Sequence, residues 1–328
     1  MSARRRGFNS KNFNPSQSSE LNMRVLFIFL DGIGLGENDP AINPFVRVEM
    51  PHLRKLLGGS TFLYEAAPCE SKRATLLAVD ASLGVEGLPQ SATGQAVLLS
   101  GRNIPAELGY HYGPKPNRAV AATLQDGGLF GRFTKAGKKA ALLNAYPPRY
   151  FDGIDSGKRL YSSIPLAVTN AGLSLFTKDD FFAGRALAAD FTGQGWREFL
   201  GFPETQILDP RDAGIKLSAL ASQYDFAFFE YWATDYAGHK QDMKWALEQL
   251  EVFDNVLDGL LDAWNDDEGL IVLTSDHGNM EDLSVRRHTA NPVPALVIGE
   301  QKTRQEFTKN MKDITQIAPA IWNAVIND

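Results

Sequence analysis

The stretch Leu270-Ile271-Val272-Leu273-Thr274-Ser275-Asp276-His277-Gly278 constrains this chain more than any other. An apolar run too short for a typical helix stops abruptly at an acid, an imidazole and a glycine. A parallel strand covered on both faces reads as a continuous apolar run, and the residues just after it lie at the edge of the sheet. Asp and His side by side at such an edge suit a metal. On this stretch alone a second reading stands: Asp276 caps a following helix and His277 is an ordinary surface residue.

The same pattern recurs. Arg24 to Leu30 is an apolar run that ends at Asp31-Gly32-Ile33-Gly34. Here the glycines let the backbone turn close to a ligand, but the dinucleotide fingerprint G-x-G-x-x-G is incomplete. A third run, Phe226 to Trp232, is followed by Asp235 and, four residues later, His239, close enough for both to bind one ion. In open parallel sheets ligands gather outside the carboxyl ends of the strands, so three acids delivered in this way reinforce one another.

The segments between these runs supply the rest of an α/β fold with a mainly parallel central sheet flanked by helices. Lys244 to Trp264 predicts a long amphipathic helix, with Leu250, Phe253, Val256, Leu257 and Leu260 on one face, leading into the Leu270 strand. Shorter helices are expected at Pro51 to Leu57, Leu129 to Ala136, Asp212 to Gln223 and Ile314 to Ile326. Further strands are expected at Ala74 to Asp80, Lys139 to Tyr146 and Pro294 to Ile298. From Tyr150 to about Pro203 the strand signal lapses, leaving possible helices at Ser163 to Ala171 and Asp179 to Ala189. Residues 150–203 therefore read as a small inserted cap, and residues 23–149 and 204–328 as the core. Residues 1–22, with Arg4-Arg5-Arg6 and then Asn, Ser, Gln and Pro, read as a disordered arm.

Among 328 residues the formal net charge is -6, which argues against nucleic acid as a partner because neutralising phosphates needs a basic face. The lone Cys69 excludes an intrachain disulfide and a cysteine-rich zinc cluster. That fits a reducing, cytoplasmic setting. No apolar run approaches the length of a membrane span. Oligomeric state is not legible in the sequence.

Ser91, in Ser91-Ala92-Thr93-Gly94-Gln95, opens a segment of helical character. It reads either as an N-cap or as a nucleophile at a helix N-terminus, where free amides and the helix dipole favour a phosphate. His52, at the start of the Pro51 helix, reads as a surface or capping residue.

Taken in order, D-G-I-G, S-A-T-G-Q, D-x-x-G-H, S-D-H-G-N-M and H-T-A-N-P-V-P resemble the alkaline phosphatase superfamily, with particular likeness to cofactor-independent phosphoglycerate mutase and phosphopentomutase. The resemblance covers the core on both sides of the cap. It implies an alkaline phosphatase-like core that holds two divalent metal ions, Mn or Zn. Residue by residue it places Asp31, Asp276, His277 and the Ser91 oxygen around one ion, and Asp235, His239 and His288 around the other. It also makes Ser91 the nucleophile, three residues before Gly94, with Thr93 as the rival. Two such ions, about 4 Å apart, activate a seryl oxygen and clamp a transferring phosphoryl group.

The implied function is a phosphatase or phosphotransferase acting on a small phosphate ester through a phosphoserine. The alternatives are a phosphomutase acting on a phosphoglycerate or phosphosugar, and a metal-binding protein without catalysis. The chain departs from the mutases in carrying Gly94-Gln95 where they have Gly-His. Phosphoglycerate mutase also carries a much larger inserted domain with a basic substrate-binding set that does not map onto this sequence, so the resemblance supplies metal chemistry and no substrate. His111 and Arg149 are the candidates for substrate contact, against a structural or surface role for each.

Overall fold

The computed structural model describes residues 23–326, so the arm expected over residues 1–22 lies outside the described residues. The apolar runs become strands: β1 (Arg24–Leu30), β2 (Cys69–Glu70), β3 (Ala74–Val79), β4 (Ala140–Leu142), β5 (Phe226–Tyr231), β6 (Gly269–Thr274) and β7 (Val293–Ile298). They form one sheet in the order β2-β3-β7-β6-β1-β5-β4. β4, β5, β1 and β6 are parallel, as the sequence predicts, whereas β7, β3 and β2 continue the sheet in antiparallel pairs.

The antiparallel turn of β7 has a local cause. A parallel neighbour needs a crossover, usually through a helix. Residues 275–292 contain no helix; they arch over the carboxyl edge of the sheet and fold back through a bridge between Gly278 and Thr289. β7 therefore enters the sheet from the end at which β6 leaves it.

Alternation along β1 divides the interior in two. Leu26, Ile28 and Leu30 share an apolar cluster with Leu53, Leu217, Phe253 and Leu257, from the helices Pro51–Leu56, Pro210–Ala221 and Met243–Ala263. Val25, Phe27 and Phe29 share another with Val97, Phe130, Val168 and Ile321, from Ser91–Ser100, Gly128–Lys135, Ser163–Asn170 and Ile317–Ile326. Helices on both faces of the sheet explain why β1 and β6 are apolar throughout. Each such side chain contributes roughly 1.5–3 kcal/mol by burial, so the strand ends make a rigid platform.

The long amphipathic helix runs from Met243 to Ala263, close to its expected limits. Gly259 on it and Gly214 on Pro210–Ala221 each lie against the other helix's backbone, so a side chain at either position would push the two helices apart. His52 docks the Pro51–Leu56 helix onto the same long helix: its backbone N–H donates to Asp254 and its Nδ1 lies 2.9 Å from Asp258 Oδ1.

Within residues 150–203, Ile164, Ala167 and Val168 enter the second apolar cluster, and Phe191 stacks on Phe229 of β5. Leu187 exchanges backbone hydrogen bonds with Leu143 and Ala145. The helix expected over Asp179 to Ala189 is only Lys178–Phe182: a capping box of Thr177 and Asp180 starts it, and Gly184, at φ +78°, follows its end. Among the described residues no helix is long and apolar enough to cross a membrane.

Candidate metal centre

Strand register sets the site. Leu30 pairs with Tyr231, and Phe29 with both Glu230 and Thr274, so β1, β5 and β6 end at one level. Asp31 follows β1 directly, and Asp276 and His277 follow β6 after Ser275. The third acid arrives differently from the strand-end reading. β5 stops at Tyr231, and Asp235 sits in the first turn of the helix Ala233–Lys240 with His239 one turn further on. Both therefore project from one helical face. His288 comes from the returning arm of the 275–292 arch.

These residues meet as two carboxylate and imidazole clusters, Asp31 with Asp276 and His277, and Asp235 with His277 and His288. His277 Nε2 lies 3.4 Å from Asp31 Oδ1 and 3.6 Å from Asp276 Oδ1. His288 Nε2 lies 3.8 Å from Asp235 Oδ1. His239, outside both clusters, approaches Asp235 from the solvent side with its Nε2 3.4 Å from Oδ2. The outer ring nitrogens are oriented by carbonyls: His288 Nδ1 by Pro89 at 2.7 Å and His239 Nδ1 by Arg286 at 2.8 Å. Such hydrogen bonds set a ring so that its other nitrogen serves as a ligand. No helix follows Asp276, so it caps nothing.

The donor set fits divalent cations. Asp31 Oδ1 and both carboxylate oxygens of Asp276 are buried without hydrogen-bond partners. A buried charge in that position is untenable unless it is neutralised. Without a cation, burial and then the neighbouring acids raise both carboxyls well above the ordinary range; for Asp31 the main neighbour is Asp276, and for Asp276 it is Asp235. Burial also pushes Asp235 upward, but hydrogen bonds from His239 and Asn279 and the proximity of His277 bring it down to about 2. Burial, aided by His288, lowers His277 to about 3, so its imidazole is neutral and able to donate a lone pair.

Ser91 is the first residue of its helix. The N-cap is Gln90, which makes no capping side-chain hydrogen bond, so the N-cap reading of Ser91 does not hold. Its Oγ lies 3.0 Å from His277 Nε2. The Thr93 hydroxyl donates to the carbonyls of Gln90 and Tyr112 and accepts from the Tyr112 N–H, so it is engaged by the backbone. Gly94 lets the helix reach the acid: an added Cβ would stand 2.7 Å from Asp276 Cβ.

Several residues that no strand-end pattern marks hold the arch in place. Buried Glu281 accepts from the N–H groups of Gly34 and Asn279, both at 2.8 Å, from Asn291 Nδ2 at 3.0 Å and from the Thr289 hydroxyl. It ties the loop after β1 to both limbs of the arch. Asn279 donates to Asp235 Oδ1 at 2.6 Å, and Gly238 leaves room for the Asn279 side chain. Glu230, near the end of β5, is raised by burial to about 7, while Lys115 and a hydrogen bond from Tyr146 act in the opposite sense. An acid two residues after a Gly-Asn dipeptide, or one interrupting an apolar strand, was the only sequence signal for Glu281 and Glu230.

Of the two substrate candidates, half-buried His111 places Nε2 3.2 Å from the Ser82 carbonyl, and burial lowers its pKa. Arg149 is exposed at the start of the helix Pro148–Asp155.

Residues 209–327 match the family described as the Metalloenzyme superfamily. The cofactor-independent (2,3-bisphosphoglycerate-independent) phosphoglycerate mutase of Antithamnion sp. is 28% identical over 155 residues, 43% of this chain and 30% of that protein. The matched part thus spans less than a third of that relative's length. Among solved structures, the PH0037 protein from Pyrococcus horikoshii aligns over 94% of this chain and 98% of its own, with a TM-score of 0.56 at 17% identity. The alkaline phosphatase from the Antarctic bacterium TAB5 aligns over 92% and 97%, with a TM-score of 0.50 at 13% identity. The chain therefore has an α/β fold like that of the TAB5 alkaline phosphatase, and its residues 209–327, which carry Asp235, His239, Asp276, His277 and His288, match the Metalloenzyme superfamily.

Proposed function

We propose that this chain is a metal-dependent phosphoryl-transfer enzyme that acts on a small phosphate ester through a phosphoserine at Ser91. The observation that carries this reading is the Ser91 Oγ held 3.0 Å from His277 Nε2, beside carboxylate oxygens of Asp31 and Asp276 that are buried without partners. A simple core would not leave three anionic oxygens unpaired next to a hydroxyl.

In this proposal Asp31, Asp276, His277 and Ser91 hold one divalent ion, and Asp235, His239 and His288 hold the other, with Mn or Zn as the metal. Two such ions would lower the pKa of the seryl hydroxyl and neutralise charge on the phosphoryl oxygens. Ser91, at the N-terminus of a ten-residue helix, attacks phosphorus in line. The new Oγ–P bond forms as the bond to the alcohol oxygen breaks, and the alcohol leaves with a proton. Water or a second hydroxyl then takes the phosphoryl group from Ser91. The neutral His277 imidazole, whose Nε2 stands 3.0 Å from the Ser91 oxygen, would share that ion with it as a fellow ligand, while residues 150–203 act as a cap that limits water at the site.

Turnover of p-nitrophenyl phosphate by the Mn- or Zn-loaded protein tests this reading, together with acid-quench mass spectrometry for a phosphorylated Ser91 peptide. Ser91→Ala should lower turnover by roughly 10³-fold or more. Full turnover in that variant would remove Ser91 as the nucleophile, and ion binding with no turnover of any ester would leave a metal-binding protein. The similarity to a phosphoglycerate mutase favours a second reading, intramolecular phosphomutase activity. Incubation with a phosphoglycerate separates the two, because a mutase yields the isomer and a phosphatase releases phosphate.

A further inference from the structure

We propose that Lys115, Glu230 and Tyr146 form a subsite beside Ser91 that binds the hydroxylated alcohol part of a phosphate monoester. This inference rests on the phosphoryl-transfer reading and names the class of substrate for the same site. None of the three belongs to the ligand clusters.

The strand alternation of β5 sets the direction. Phe226 and Phe228 point into the cluster that contains the Ser91 helix, so Glu230, two residues on, faces the same side. A carboxylate there interrupts an apolar strand just where the sheet meets the nucleophile. Its backbone is pinned by Asn144, which donates to the Glu230 carbonyl and accepts from its N–H, each at 2.8 Å. Tyr146 lies two residues beyond Asn144, and burial and then the Glu230 carboxylate raise its phenol's pKa. Behind it Tyr150 packs its ring 4.5 Å from that of Tyr146, and its hydroxyl is buried with no hydrogen-bond partner. The Arg159 guanidinium lies over the Tyr150 ring at 5.1 Å.

Lys115 follows a turn that packs on the nucleophile's helix. Gly113 packs so closely on the nucleophile's helix that an added Cβ would be 3.2 Å from the Ser91 nitrogen. Lys115 stands two residues beyond Gly113, and the negative charges of Glu230 and Asp31 favour its ammonium form against the opposing effect of burial. An ammonium pairs with phosphoryl oxygens, whereas a carboxylate flanked by phenols accepts from hydroxyls and repels a second anion. The set therefore fits an alcohol with free hydroxyls near the ester, and disfavours bisphosphates and phosphorylated acids.

Glycerol 2-phosphate and isopropyl phosphate share a carbon skeleton and differ only in two hydroxyls, which makes them the matched probes. With metal loaded, wild type should favour glycerol 2-phosphate by about tenfold or more in kcat/KM, because a site built to bond hydroxyls discriminates against an analogue without them. That ratio should fall toward one in Glu230→Gln and fall partway in Tyr146→Phe, while Lys115→Ala lowers kcat/KM for both esters. Melting curves of the variants confirm folding. A ratio near one in wild type, or one that Glu230→Gln leaves intact, overturns the subsite.

If neither ester is turned over, phosphoryl transfer is what has failed, and calorimetric binding of glycerol 2-phosphate to the metal-loaded protein then decides the subsite. Tighter binding to wild type than to Glu230→Gln supports it. Equal or absent binding overturns it.

Discussion

His277 and His288 stack ring on ring, with centroids 3.6 Å apart and planes 10° apart, and this stack is the seam between the two carboxylate clusters. His277 turns its Nε2 toward Asp31 and Asp276, while His288 turns its own toward Asp235. Two imidazoles packed face to face in a dry site resist protonation. Burial lowers both, and each neighbouring ring adds to the effect at His277. Both are therefore held in the neutral form that ligates metal.

The carboxyls on the other side of that seam predict an inverted pH dependence. Asp31 and Asp276 are raised by burial, then by neighbouring acids, so the folded metal-free protein holds their protons more tightly than the unfolded chain. Such groups stabilise below the unfolded pKa, and the contribution is lost as pH rises through the folded value. Asp276→Asn removes one of them and should lower metal-dependent stabilisation at every pH. In chelator its melting temperature relative to wild type should climb as pH rises from about 4 toward 7. A difference that shrinks over that range would contradict the assignment.

Glu281 predicts a loss that spreads from the arch to the metal. Truncating it in Glu281→Ala leaves the Gly34 and Asn279 N–H groups, the Thr289 hydroxyl and the Asn291 amide without their acceptor. Stability should drop by about 3 kcal/mol or more, since each buried unpaired donor costs roughly 1–3 kcal/mol. Affinity for Mn or Zn should fall roughly 10–100-fold, as for other residues that support ligands from behind. Denaturant unfolding and metal titration read the two effects, and unchanged metal affinity would confine Glu281 to folding.

Gly94→Ala tests the closeness of the Ser91 helix to Asp276. The added methyl would meet Asp276 Cβ at 2.7 Å in a region with no slack. Overpacking of this kind costs about 1–3 kcal/mol. Ester turnover should drop more steeply than the melting temperature, because the helix that retreats carries Ser91. Wild-type kcat in a folded Gly94→Ala protein would argue against the close approach.

The two outer histidines should differ. His288 is buried beside Asp235 and oriented by the Pro89 carbonyl, whereas His239 is 43% exposed at its side chain and lies outside the two clusters. His288→Ala should therefore weaken metal binding more than His239→Ala, by about tenfold or more, in line with loss of an oriented ligand. Equal losses measured by competition with a chelator would show that His239 is as much a ligand as His288.

The elements were legible in the sequence wherever the signal is local. Apolar runs of strand length marked β1, β5 and β6, and the 3.6-residue period marked Met243–Ala263, because burial on both faces or on one face writes itself directly into neighbouring residues. The acids and histidines after those runs were legible for the same reason: a strand covered on both sides changes character abruptly where it leaves the sheet.

What only the tertiary structure decided is how those residues group and what surrounds them. Ser91 meets His277 across 186 residues of chain, and Gly34 meets Glu281 across 247. No local period encodes such pairs. The antiparallel return of β7, the shared position of His277 and the grip of Glu281 on both limbs of the arch all depend on loop paths over the sheet edge, where close packing and hydrogen-bond satisfaction replace periodicity. Sequence therefore names the chemistry delivered to the edge of the sheet, and packing of the loops determines which of those groups face one another.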